Sequence, residues 1–237
     1  MSIWTRLGDF VSRVSGTAFA GIMDALRTLF EGDPALRRRV AFSIAMIALS
    51  AKMAKADGIV TQDEVRAFQE IFSVPPEHVR DVARLYDLAK GDIAGFESYA
   101  GHMADLFASE EQGGRDVLED ILDGLFFIAK ADGMVHEREV GFLRRTAEIF
   151  QFDARGFEAI LARHAQTGES DPYAILGVAR NTPFAEVRRR YLALVAQNHP
   201  DRLMARGLPE EFIVIATQRS AALNVAYEAI ERGQRRT

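Results

Sequence analysis

Lys55-Ala56-Asp57-Gly58-Ile59-Val60 returns seventy-five residues further on as Lys130-Ala131-Asp132-Gly133-Met134-Val135. The echo runs on to Glu64 with Glu139 and Val65 with Val140, so seven of eleven aligned positions are identical. Each copy closes one apolar helical pattern, at 44–53 and 121–128, and precedes another, at 65–72 and 140–150. Apolar residues three and four apart mark one face of a helix. Asp-Gly between two such runs is turn chemistry, and Thr61 with Glu64 fits a capping box for the helix after the first copy. The repeat therefore predicts two related helical hairpins packed in one bundle.

The same period extends on both sides. Residues 1–30 read as an amphipathic helix, with Trp4, Leu7, Val11, Val14, Ala18, Ile22, Leu26 and Leu29 on one face, ended by Glu31-Gly32-Asp33-Pro34. From 35 to 165 further helical faces follow: Val40, Ile44, Ile47 and Ala51; Val79, Val82 and Tyr86; Phe96, Tyr99, Met103 and Leu106. The seven prolines leave 77–171 free of that residue, as helix interiors require. No run alternates apolar and polar with β-branched residues, so no strand is expected. The fold class expected is all-α.

Composition narrows the chemistry. The chain has 237 residues and no cysteine, which removes disulfides, thiolate catalysis and cysteine-ligated metal sites. Its uncharged stretches reach ten to twelve residues, against roughly twenty for a transmembrane helix. Ala18-Phe19-Ala20 imitates a signal-peptidase site, but Asp9 and Arg13 break the apolar run that should precede it. A cytoplasmic protein is expected, with peripheral attachment to the inner membrane through residues 1–30 as the alternative. The net charge of −5 divides unevenly: from Asp171 onward ten arginines face seven acids, leaving the preceding part at −8. That sign change supports a boundary, yet neither value points to nucleic acid. No nucleophile elbow, phosphate loop or dinucleotide fingerprint appears, so no enzyme is expected.

After a polar linker at 166–170, Asp171-Pro172 opens a different segment. A short helix, Tyr173-Ala174-Ile175-Leu176, ends at Gly177. Thr182 and Pro183 then look like the N-cap and first residue of the next helix. Val187, Tyr191, Leu194 and Val195 form its apolar face, and Arg188, Arg189 and Arg190 its basic one. His199-Pro200-Asp201 stops that helix in a stiffened loop. A long helix over 209–232 follows, with Phe212, Ile215, Ala216, Leu223, Ala226, Tyr227 and Ile230 facing inward. The expected division is 1–34 for the first helix, 35–165 for the bundle, 166–170 for the linker and 171–237 for the last domain.

Two resemblances attach to these motifs. The paired Lys-Ala-Asp-Gly-x-Val-x-x-x-Glu segments resemble the TerB domain, a helical bundle of tellurite-resistance and related bacterial proteins. That resemblance implies Asp57, Glu64, Asp132 and Glu139 as candidates for a divalent metal, although Asp57-Gly58 lacks the spacing of a Ca²⁺ loop. Tyr-x-x-Leu-Gly-Val, Val-Arg-Arg-x-Tyr, His-Pro-Asp-Arg and Leu-Asn-x-Ala-Tyr, over 171–232, resemble a J domain. The two in this order resemble the DjlA type of DnaJ-like co-chaperone.

The J-domain resemblance implies docking rather than chemistry. His199, Pro200, Asp201, Arg188, Arg189 and Arg202 would contact a DnaK-type chaperone and stimulate its ATP hydrolysis, with the bundle as a targeting or regulatory module for an unknown client. The sequence departs from the family at Leu192, Ala193 and Gln197, where basic residues are usual, at Asn198, where an aromatic is usual, and at Ser220, where a core Phe is common. The DjlA type usually begins with a membrane-spanning segment, and no such stretch is found in this sequence. Packing of the first helix on protein is favoured over a membrane surface, with pairing of two copies also open. Two rival readings stand beside this one: a metal-responsive stress adaptor acting through the bundle, and a His199 that merely caps a helix beside a solvated arginine face.

Overall fold

The computed structural model describes residues 3–13, 34–57, 68, 71–72, 74–92, 95–108, 114–131, 133, 135–164, 170–205 and 212–234. These residues form α-helices and no strand: α1 (Ile3–Arg13), α2 (Pro34–Asp57), α3 (Val79–Gly91), α4 (Phe96–Ala108), α5 (Gly114–Ala129), α6 (Glu137–Ile149), α7 (Ala154–His164), α8 (Pro172–Ile175), α9 (Phe184–Gln197), α10 (Pro200–Ala205) and α11 (Ile213–Gln234). The fold is all-α.

Two helices are buried nearly all round, and each leads into one copy of the repeat. In α2 every residue from 40 to 54 is buried, and in α5 every residue from Asp120 to Ala129 is. A helix apolar on all sides must sit inside a bundle, and α2 is packed by α1, α3, α4, α5 and α6. The second Asp-Gly turn takes the form its residues predict. Gly133 adopts φ +108°, a region that suits glycine, and its N–H donates to the Lys130 carbonyl at 2.9 Å. Asp57 closes α2, but its side chain lies outside the described residues, as do Gly58, Thr61, Glu64 and Asp132.

The first helix packs on protein. Trp4, Leu7, Phe10 and Val11 of α1 are buried against α2 and α3, with Trp4 edge-on to Phe72 at 6.4 Å between centroids. The apolar face of 3–13 is thus used in the core. Residues 14–33, the rest of the expected helix, lie outside the described residues. No helix among the described residues is long and apolar enough to cross a membrane.

The C-terminal segment departs from expectation in three ways. First, the apolar face of α11 is shared. Leu223, Ala226 and Ile230 join Leu176, Val187 and Leu194 in a small core with α8 and α9, whereas Phe212, Ile215 and Ala216 enter the core of the bundle. Phe212 meets Phe42 edge-on at 4.5 Å, and Gly124 gives it room: a Cβ there would lie 2.7 Å from the Phe212 ring and from Met46. Second, Pro183 is the N-cap of α9 rather than its first residue. Its ψ of 139° is extended, and its carbonyl accepts from the N–H groups of Glu186 and Val187 at 2.8 and 3.1 Å. Third, His199-Pro200-Asp201 is not an open loop. Pro200 begins the six-residue helix α10, which suits a residue whose missing N–H costs nothing in a first turn.

Candidate functional site

The triplet expected to carry function lies between two fixed points. On one side, α9 ends at Asn198, whose N–H donates to the Leu194 carbonyl at 3.1 Å. On the other, Leu203 of α10 is buried in the core of the bundle. Between them His199 acts as the cap of α10. Its carbonyl accepts from Arg202 and Leu203 at 2.9 and 3.1 Å, and its ring Nδ1 accepts from the Asp201 N–H at 3.3 Å. That bond requires Nδ1 to be unprotonated, which leaves the ring proton of neutral His199 on Nε2.

Capping does not consume the side chains. His199 is 61% exposed and Asp201 is 85% exposed, and the ring and carboxylate lie 3.6 Å apart. The two groups are therefore offered together to solvent. Arg188, Arg189 and Arg202 are exposed as well, with Arg189 only loosely tied to Glu186 at 4.0 Å. Such a face steers an acidic partner mainly through association rate. The reading of His199 as a mere cap captures half of the geometry: the backbone and Nδ1 cap the helix while the rest of the ring stays open.

A buried charge network behind the triplet was not foreseen from the sequence. Asp120 and Asp123 of α5 are 1% exposed. The Asp123 carboxylate accepts from Arg219 of α11 at 2.5 Å, from Arg163 at 3.2 Å, and from His164 Nε2 at 2.6 Å. Arg163 also bonds Glu119 at 2.7 Å. Arg219 Nη1 donates to Asp120 at 2.7 Å and to the Asn198 Oδ1 at 2.7 Å, while Asn198 Nδ2 donates to the Leu194 carbonyl at 2.7 Å. The signal available in the sequence was two acids three residues apart, Asp120 and Asp123, set against Ile121, Leu122 and the apolar run that ends the helix.

Burial and pairing pull the charges of this network in opposite directions. Burial alone would raise the Asp123 carboxyl, but Arg163, Arg219 and the His164 hydrogen bond hold it well below the usual carboxylate range. Burial would lower Arg219, yet Asp123, Asp120 and Glu119 raise it. His164, stacked on Phe126 at 5.0 Å, goes the other way. Burial pushes it below its ordinary value despite Asp123, with Lys130 and Arg163 helping to exclude a positive charge.

This sets a pH dependence. As pH falls through about 6.5 the unfolded chain takes up a proton at His164 more readily than the folded one, so stability falls as pH drops, by at most about 1.4 kcal/mol per pH unit. Asp123 acts only lower, with its stabilisation retained above about pH 4. His164→Gln, which keeps a donor for Asp123, is expected to flatten the melting temperature against pH between about 7.5 and 5.5. Equal slopes in wild type and variant would remove this role for His164.

Of the metal candidates, Glu139 is described and is already engaged. It is buried, and its carboxylate accepts from the His136 N–H at 2.8 Å at the start of α6. This is the capping position that Thr61 and Glu64 suggested for the first copy. Among the described residues no three His, Asp or Glu side chains gather to hold an ion.

Comparison with known proteins agrees with the bundle motifs and with the co-chaperone resemblance. Residues 43–162 match the family described as tellurite resistance protein TerB. The chain is 29% identical over 221 residues to the co-chaperone protein DjlA of Photobacterium profundum, covering 82% of this chain and 78% of that one. It is 28% identical over 200 residues to the co-chaperone protein DjlA of Coxiella burnetii, covering 76% and 73%. With the protein of the same name from Vibrio cholerae the identity is 25% over 233 residues, covering 86% and 82%. No solved structure matches. The chain belongs to the TerB family, and over most of its length it is similar to co-chaperone proteins named DjlA.

Proposed function

We propose that this chain is a co-chaperone that docks on a DnaK-type chaperone through His199, Pro200, Asp201 and Arg202, aided by Arg188 and Arg189 of α9, and that docking speeds the partner's ATP hydrolysis. The observation that carries this reading is the joint exposure of the His199 ring and Asp201 carboxylate on a backbone held at both ends. Preorganised groups lose little freedom on binding. The names of the relatives support the same direction. ATP chemistry then belongs to the partner, and this chain supplies a carboxylate and an imidazole in fixed register. The bundle serves as a targeting or regulatory module.

The test is single-turnover ATP hydrolysis by a bacterial DnaK-type chaperone preloaded with ATP, with and without the full chain. Acceleration that saturates with added chain is expected, weakening at high salt as the arginine face is screened. An unchanged rate at saturating protein would refute the reading.

A further inference from the structure

Resting on the function just proposed, we infer that Asn198 and Arg219 are positioning residues for the His199-Pro200-Asp201 site, and that Asp120 and Asp123 of the bundle set its geometry through them. The exposed His199 and Asp201 side chains lie 3.6 Å from each other. The placement of the triplet comes from its two neighbours, and both lead into the bundle. Leu203 sits in the bundle core. Asn198 is buried and hydrogen-bonded to Arg219, which is held in turn by Asp120 and Asp123. Each bond in that chain involves an ionised group and is short, so each is among the stronger and more directional kind.

Asn198 thus acquires a role at the position where the family usually has an aromatic. A phenylalanine there could pack but has no oxygen to accept a hydrogen bond from a buried guanidinium. Here the end of α9 is tied to the bundle by a polar contact with a defined direction, and the residue that follows is His199. The site is accordingly built from both parts of the chain. Altering the bundle at Asp120, about eighty residues away in sequence, should disturb the presentation of Asp201 without touching it.

Three variants of the full chain test this. Asn198→Ala removes the last link while leaving Arg219 paired with Asp120 and Asp123. Asn198→Asp restores an acceptor for Arg219. Asp120→Asn removes one charge from the bundle side and leaves Asp123 in place. In the ATP hydrolysis assay the maximal stimulated rate is expected to fall about tenfold for Asn198→Ala and Asp120→Asn, the scale of one charge-assisted hydrogen bond. The concentration giving half-maximal effect should rise as well, because Asp201 belongs to the docking face, and Asn198→Asp should recover most of both. An unchanged maximal rate and half-saturation, or no recovery in Asn198→Asp, overturns the inference.

Amide hydrogen exchange separates this inference from the function it rests on, because it needs no partner. The N–H groups of Arg202 and Leu203, which bond to the His199 carbonyl, should exchange about tenfold faster in Asn198→Ala and Asp120→Asn than in wild type. Protection in α2 and α5 should stay as it was. If the wild-type chain fails to stimulate the chaperone but exchange changes as stated, the proposed function fails and the positioning stands. Unchanged exchange at Arg202 and Leu203 rejects the positioning whatever the ATP assay gives.

Discussion

Asp201→Asn in the full chain is expected to return the partner's single-turnover ATP hydrolysis to its unstimulated rate, with no measurable change in this chain's melting temperature. The two halves of that expectation come from one observation. Asp201 is 85% exposed, and the bond that ties it to His199 runs from its backbone N–H, which the substitution leaves intact. An exposed, isosteric change of this kind stays within about 0.5 kcal/mol in stability. At an interface the same carboxylate is desolvated against its partner, and losing one member of such a pair costs about 2–5 kcal/mol or more. Since about 1.4 kcal/mol is a factor of ten, the loss exceeds roughly tenfold and is close to complete at ordinary concentrations. His199→Gln tests the other half: it removes the Nδ1 acceptor that caps α10 and the ring presented beside Asp201. Arg188→Ala or Arg189→Ala should do less, slowing association and reducing salt sensitivity without abolishing stimulation. Stimulation by Asp201→Asn equal to wild type would end the docking reading.

How much of this was legible in the sequence depends on the range over which each signal acts. The helices, the repeat and the anchoring by Trp4, Leu7 and Val11 follow from local period and turn chemistry, which need no knowledge of neighbours. So does the position of His199 and Asp201 between a basic helix and a long one. The partition of α11 was not legible. Phe212, Ile215, Ala216 and Leu223 share one apolar stripe, and periodicity says that the stripe is buried without saying against what. The network was hidden for a related reason. A charged residue on a helix is read as solvent-facing, and Asp123 escapes that rule only because Arg163 and His164 lie about forty residues away and Arg219 about a hundred. Asn198 looked like a departure from a family pattern, and only Arg219 shows what it accepts.

Asp123→Ala is expected to cost about 3–5 kcal/mol, the range for removing one member of a buried ion pair. The figure does not measure what the pairs contribute. It reflects what is left behind: Arg219 and Arg163, each nearly inaccessible to water, lose their shared carboxylate, and His164 loses its acceptor. Glu158→Ala provides the contrast. Glu158 pairs with Arg144 at 3.1 Å, a distance comparable to those at Asp123, but it is 52% exposed, and exposed pairs contribute about 0–1 kcal/mol. Equilibrium urea unfolding of the two variants against wild type separates burial from distance as the cause. The loss at Asp123 should also be uneven, because Arg219 joins α11 to α5. Proteolysis under native conditions should therefore cut Asp123→Ala first in the segment after α9, before the bundle opens. A loss below about 1 kcal/mol would mean that water reaches these groups and that the charges do not hold the C-terminal segment to the bundle.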